Sequence, residues 1–391
     1  MRRQFKLKKN AAHDLLGPSE FPGSLSPLGV QQQPLALKMT RISLTLAIAL
    51  ASSAAVPLFT NPVVPDPADT PDPGVAFDPA SGRFFAATTT GNAPEGCFEL
   101  RSSSIASPLA EWALHGVIFP PSALPAWIDP ANPSCWAPEL HNVSGGWRLV
   151  FVGRQRNGLL SVGVASADSP LGPFTDSGAP LVQGGGAQPQ GQIDPTIAAD
   201  ASGALFLVWK TDGNADGRPT PIRAARLAPN ASALAPGAGD WTQTQLITND
   251  LPWEGRIVEA PWVVRRGGAF FLFYSGNGYG AGSYAVGVAR SASLLGPYEK
   301  RGAPILKTAP SNAFPGPGHC SVVAVGNFTA IVYHAHSDAS SKRHLMLDVL
   351  AWRGDGKGGE WPEMASGLPQ PGEGPQPLPW AGAAARVASL L

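Results

Sequence analysis

The sequence predicts an all-β fold, a five-bladed β-propeller, and three observations predict it. The chain of 391 residues carries 45 glycines and 41 prolines without a collagen-like period, as many short strands joined by turns would require. No long stretch sets apolar residues at helical spacing. A unit of about sixty residues recurs five times, and a unit of that size holding four short strands matches a propeller blade. The repeat is visible in two signatures. "LLSVGVASADSPLGPF" and "SYAVGVARSASLLGPY" share a strand, a polar turn and a Leu-Gly-Pro-aromatic ending. "SGRFFAATT", "GGWRLVFVG", "SGALFLVWK", "GGAFFLFYSG" and "GNFTAIVYHAH" are five copies of a glycine turn followed by an apolar strand.

In chain order, residues 1–38 read as a disordered or non-native extension opening on Arg2, Arg3, Lys6, Lys8 and Lys9. Residues 39–58 read as a signal peptide: Lys38 and Arg41 flank the start of a short apolar run, and Ala51-Ser52-Ser53-Ala54-Ala55 suits cleavage. The alternative is a signal anchor holding a luminal domain on a membrane, for which the run is short. Residues 60–365 form the propeller, and the Pro/Gly-rich tail 366–391 reads as linker. Three sequons, at Asn142, Asn230 and Asn327, fit a secreted glycoprotein. Cys97 and Cys135 are candidates for a single bridge, with Cys320 left as a buried thiol.

Composition narrows the function. Apolar residues make up 43% of the chain, enough for a core, while 28 acidic and 28 basic residues cancel. No basic field exists to hold nucleic acid. Gly-x-Ser-x-Gly and phosphate-loop motifs are absent from the sequence. What remains is the repeat itself, which sets one polar residue ahead of each apolar strand: Asp72, Glu139, Asp194, Glu259 and His319, at intervals of 67, 55, 65 and 60 residues. The first strand of a propeller blade lines the central axis, so the five are expected at equivalent positions around one cavity. Four carboxylates and a histidine gathered there are costly as mere structure. Paired carboxyl groups of unlike pKa suit glycoside hydrolysis, and Trp136, Trp253 and Trp262 offer faces for a sugar ring.

At these residues the sequence resembles glycoside hydrolase family 43, the arabinanase, arabinofuranosidase and β-xylosidase propellers. The likeness rests on Pro71-Asp72-Pro73, Trp136-Ala137-Pro138-Glu139, Ile193-Asp194-Pro195-Thr196, Val258-Glu259-Ala260-Pro261-Trp262 and Gly316-Pro317-Gly318-His319. The resemblance implies an inverting enzyme with three working carboxylates. Asp72 would be the general base, with Asp66 and Asp69 as rivals. Glu259 would be the general acid, its apolar setting raising its pKa, and Asp194 would orient and tune it. Inversion implies that the carboxyl groups of Asp72 and Glu259 stand roughly 6.5–9.5 Å apart.

The resemblance also implies substrate contacts from Glu139, Trp136, Trp262 and His319. Glu139 stands where the family more often has aspartate. His319 resembles a histidine that supports a central metal ion or water cluster in relatives, so a structural calcium ion on the axis is entertained, with no cofactor required. His334 and His336 in "YHAH" would shape the cavity wall; His141 has no role assigned. After residue 365 the chain leaves no room for the β-sandwich that many xylosidases add, which inclines the reading toward arabinan-type substrates. The expected protein is a monomer acting on polysaccharide or oligosaccharide. The alternatives are a non-catalytic carbohydrate-binding propeller and a fructan hydrolase.

Overall fold

The computed structural model describes residues 58–65, 67–105, 111–184, 190–237, 244–337 and 340–378. The extension and the leader, apart from Leu58, lie outside the described residues, as do Asp66 and the tail from residue 379. Among the described residues no helix is long and apolar enough to cross a membrane.

Five antiparallel sheets follow one another along the chain, in agreement with the repeat. Blade 1 comprises Gly74–Asp78, Arg83–Thr88, Cys97–Ser104 and Ala113–Phe119. Blade 2 comprises Trp136–Val143, Gly146–Arg154 and Leu160–Ala167, with Thr175–Asp176 and Val182–Gln183 along its outer edge. Blade 3 is built from Gly191–Ala199, Leu205–Asp212, Ile222–Arg226 and Thr244–Ile247. Blade 4 is built from Val258–Arg266, Ala269–Gly276, Ala285–Ser291 and Glu299–Lys300. Blade 5 holds Gly318–Val325, Phe328–Ser337, Ser340–Gly354 and Glu360–Met364. Each first strand lies against the first strand of the next blade, and the fifth against the first, so that all five line one axis.

The local reasons are those legible in the repeat. The turn from first to second strand carries a left-handed glycine in every blade: Gly82, Gly145, Gly203, Gly267 with Gly268, and Gly326, a conformation that costs other residues energy. The apolar second and third strands then pack blade against blade. Phe85 and Phe98 of blade 1 meet Phe151 and Trp147 of blade 2. Val150 and Val164 of blade 2 meet Leu207 and Trp209 of blade 3, and Val208 and Ile222 meet Phe270 and Leu272 of blade 4. Blades 4, 5 and 1 share one cluster through Phe271, Ile331, Val75 and Phe84. Cys97 and Cys135 are bridged, with Cα atoms 5.4 Å apart, tying blade 1 to the segment that starts blade 2.

The ring is closed by the segment ahead of blade 1. It runs along the open edge of blade 5's third strand, where the Val63 amide donates to Leu345 O (2.9 Å) and the Thr70 amide to Arg343 O (2.7 Å). Asn61 clasps Leu347 on both sides: its Oδ1 accepts from the Leu347 amide and its Nδ2 donates to the Leu347 carbonyl, each at 2.9 Å. Further out, Leu58–Phe59 pairs with Gln376–Pro377 of the tail. The sequon residues Asn142, Asn230 and Asn327 are all exposed. Asn142 lies near the end of a first strand, Asn327 just after one and Asn230 after a third strand; these strands run away from the end of the axis where Asp72 and Asp194 stand, so all three lie on the opposite face.

Because Asn61 is buried and each of its partners would be orphaned, Asn61→Ala is expected to cost about 1–3 kcal/mol. Chemical denaturation should show a lower midpoint, and an unchanged midpoint would mean that the clasp contributes nothing to closure.

Candidate active site

One residue per blade has left-handed backbone at the start of the first strand: Asp72 (φ 52°), Ala137 (φ 45°), Asp194 (φ 54°), Ala260 (φ 52°) and His319 (φ 50°). In blades 2 to 5 the pairing register shifts at this residue, so each is part of a bulge. Such backbone is strained for any residue with a Cβ and persists only where the surroundings hold it. This ring corrects the expectation of five equivalent polar positions. Asp72, Asp194 and His319 are equivalent; Glu259 precedes its blade's ring member by one residue, and Glu139 follows its own by two.

A second ring holds the first. Thr89, Val152, Lys210, Ser275 and His334 lie across from the residue just before each bulge, at the upper end of the second strands. Their side chains reach the next blade. Thr89 Oγ1 accepts from the Ala137 amide (2.8 Å), Ser275 Oγ from the His319 amide (2.9 Å) and His334 Nδ1 from the Asp72 amide (3.1 Å). Lys210 is a donor and cannot accept. Between blades 3 and 4 the Ala260 amide therefore donates to Asp194 Oδ2 (3.0 Å), while Lys210 Nζ reaches Glu259 Oε2 (2.8 Å).

Asp72 is enclosed by cations and donors. Arg343 Nη1 donates to its Oδ1 (2.9 Å), Thr89 Oγ1 donates to its Oδ2 (2.7 Å), and His319 Nδ1 stands 3.4 Å from Oδ1. Burial alone would raise this carboxyl, but Arg343, then His319, outweigh it and hold Asp72 well below the usual carboxylate range. His334 is neutral: burial first, then Arg343, brings it down to about 3. Because Nδ1 accepts the Asp72 amide, its proton sits on Nε2.

Asp194 has the opposite setting. Burial first, and the neighbouring Glu259 carboxylate against the counter-effect of His319, push it up to about 7. Asp194 thus feels the charge of both Glu259 and Asp72, and each of the three is more than nine-tenths buried. Lys210 is 1% exposed, stays charged against its burial through Glu259 and Asp194, and has Asp212 Oδ1 as a third partner at 3.3 Å.

The other sequence candidates are placed differently. Glu139, two residues beyond the bulge, pairs with His141 Nε2 (3.0 Å). His141 stacks on Trp262 (5.5 Å, 24°), whose indole donates to Val322 O (2.9 Å). These three form a second buried cluster further along the axis, so neither Glu139 nor Trp262 joins the three carboxylates. Trp136 remains half-buried with Arg154 over its ring, and Trp253 packs on Tyr274. Asp69 does not compete with Asp72; its Oδ1 accepts from the Arg343 amide (2.9 Å). Among the described residues no group of three or more His, Cys, Asp or Glu side chains could hold a metal ion. Both Asp72 oxygens are engaged and His319 offers only nitrogen, so this donor set does not fit a protein-held calcium ion, which seeks oxygen.

The family comparison decides the identity. Residues 59–358 match the model of glycosyl hydrolases family 43. The chain belongs to that family. It is 27% identical over 240 residues to an extracellular exo-α-(1→5)-L-arabinofuranosidase of Streptomyces avermitilis, covering 56% of this chain and 48% of that protein. It is 28% identical over 271 residues to α-L-arabinofuranosidase 43 of Humicola insolens, covering 62% of this chain and 51% of the relative. The chain therefore spans about half the length of these relatives. The crystal structure of a thermostable family-43 glycoside hydrolase superposes with a TM-score of 0.68 at 27% identity, over 82% of this chain and all of the other.

Within this family 43 propeller, the sequence reading missed Thr89, Lys210, Ser275 and Arg343, and gave His334 only a place in the wall. It also missed Tyr279, 56% exposed on the loop after blade 4's second strand, with the Arg343 guanidinium 4.7 Å from its ring centroid. The second ring keeps the period of the first, at intervals of 63, 58, 65 and 59 residues, and that was the available signal.

Thr89→Val keeps shape but removes both an acceptor for Ala137 and a donor to Asp72. It should cost about 1–3 kcal/mol, while Thr89→Ser should retain most of the stability. Equal unfolding midpoints for Thr89→Val and wild type would show that this pin carries no load.

Proposed function

We propose that this family 43 protein is an inverting glycoside hydrolase acting on arabinose- or xylose-containing plant-type polysaccharides or oligosaccharides, with arabinanase or α-L-arabinofuranosidase activity ahead of β-xylosidase. The observation that carries the reading is the convergence of Asp72, Asp194 and Glu259 with Asp72 and Asp194 tuned in opposite directions. Unlike environments for paired carboxyl groups are what acid–base division of labour needs. The preference for arabinose rests on the names of the relatives, arabinofuranosidases from a bacterium and a fungus.

In this mechanism Asp72, ionised and clamped by Arg343 and Thr89, orients a water molecule and takes its proton as the oxygen attacks the anomeric carbon. Glu259 gives its proton to the departing glycosidic oxygen as the carbon–oxygen bond breaks. Asp194 fixes the backbone directly after Glu259 through the Ala260 amide. Tyr279 offers its exposed ring as a stacking face beside Arg343. The reading includes a secreted, N-glycosylated protein. It is supported by the extracellular relative, the Cys97–Cys135 bridge and three exposed sequons on the face away from the carboxylates.

Product release from debranched arabinan, arabinoxylan and the aryl arabinofuranosides and xylosides tests the proposal. Wild type should hydrolyse at least one of these, Glu259→Gln should lose natural-linkage cleavage, and proton NMR should show the inverted anomer first. Sugar binding without turnover on any of them would point to a non-catalytic binding propeller instead. The pH dependence gives a separate test. With Asp72 held low, the acidic limb of kcat/KM should lie below about pH 4, the ordinary aspartate range. Arg343→Met removes the cation, raises the Asp72 carboxyl and should move that limb to higher pH; an unmoved limb would exclude Asp72 as the group that sets it.

A further inference from the structure

Lys210 breaks the rule of the ring it belongs to. The other polar members of that ring, Thr89, Ser275 and His334, each accept a backbone amide of the following blade. In blade 3 the side chain is a cation, the amide it would have bound is passed to Asp194, and its own charge is spent on Glu259. A fully buried lysine is expensive, and a structural role could have been met by threonine or serine, as at the equivalent positions. Its 2.8 Å contact is to Oε2, which leaves Oε1 of Glu259 as the oxygen free to meet a leaving group.

Resting on the assignment of Glu259 as the acid, we infer that Lys210 is a positioning residue for proton donation, fixing Oε2 by a charge-assisted hydrogen bond that strengthens as Glu259 becomes a carboxylate. In the step itself the Glu259 O–H bond breaks, its proton goes to the glycosidic oxygen, and the negative charge left on Glu259 is met by the Lys210 ammonium. Nothing is oxidised or reduced, and Lys210 keeps its proton throughout. Such a donor, stronger in the transition state than in the ground state, accelerates the chemical step. The charged and titratable groups facing this pair are Asp194 and Asp212 of blade 3, the Tyr284 hydroxyl of blade 4, His319 of blade 5 and, more distantly, Asp72. Tyr284 is held neutral by burial and then by Glu259, well above its ordinary value. Lys210 is thus the cation in contact with Glu259 among the described residues.

The experiment compares full-length wild type, Lys210→Met and Lys210→Gln on a natural oligosaccharide linkage and on a nitrophenyl glycoside of the same sugar. The nitrophenolate leaves with little help from an acid, so the two substrates separate proton donation from general damage. Lys210→Met should lose about 100-fold on the natural linkage and much less on the nitrophenyl glycoside. Its alkaline limb should move up by about 1–3 pH units, because the acid loses an opposite charge in contact. Lys210→Gln, which keeps a hydrogen bond without charge, supplies the same readout should the Met variant fail to fold. Equal losses on both substrates with an unmoved alkaline limb would overturn the inference and leave Lys210 a structural ion-pair partner. Glu259→Gln run alongside separates the two ideas. If it retains the natural-linkage rate, the acid assignment fails and the inference with it; if it is inactive while Lys210→Met is normal, only the inference fails.

Discussion

The left-handed residue at the head of every blade, part of a bulge in blades 2 to 5, is the constraint on which this molecule depends. Five non-glycine residues adopt left-handed backbone at one level of the axis, and each such residue is unfavourable by itself. Their persistence follows from bonds between blades, since the atoms that receive the Ala137, Ala260, His319 and Asp72 amides all belong to the blade before. Blade packing and site geometry are therefore one problem: the left-handed residue sets where its side chain stands, and the neighbouring blade supplies the reason it stays there. Val152 is the exception, an apolar member facing the bulge of blade 3, where no side-chain acceptor for the Asp194 amide is found among the described residues.

Around that frame the electrostatics divide rather than average. Two aspartates at equivalent backbone positions, Asp72 and Asp194, are shifted in opposite directions because their blades bring different neighbours. Arg343 and His319 of blade 5 act on Asp72, whereas burial and then Glu259 act on Asp194. The backbone repeat is symmetric and the charge pattern is not, and this asymmetry leaves chemically identical side chains with unlike acidities.

How much of this could be read from the sequence depends on which spacing carried it. The blades were legible because glycine turns and apolar strands recur at a fixed interval, and the five sheets and their order agree with that reading. Asp72, Asp194 and Glu259 were legible as a set because each precedes an apolar strand, and the structure sets Asp194 within reach of the charges of the other two. Glu139 was grouped with them because a count of about sixty residues cannot tell a bulge residue from one two positions later. Within a bulged strand that difference sends the side chain to another layer, to His141 and Trp262. Trp262 was expected to offer an open face for sugar, yet its indole is bonded inside the core. Lys210, Ser275 and His334 lie inside or at the end of apolar strands, where a polar residue is easily taken for a strand end. Arg343 was out of reach for another reason: it meets Asp72 across 271 residues, and no local pattern announces such a contact.

The same long separation has a consequence for how the molecule comes into being. Asp72 leaves the ribosome early, but Arg343, His319 and His334 belong to the last blade, and the segment carrying Asp72 is what completes that blade's edge. Contacts so distant in sequence form late, because their loop must close before they reward the chain. A nascent or partly opened chain therefore holds an aspartate with ordinary acidity and no fixed direction. The clamped Asp72 exists only once the circle is shut, so the first and last blades act together as a check that the whole propeller is present.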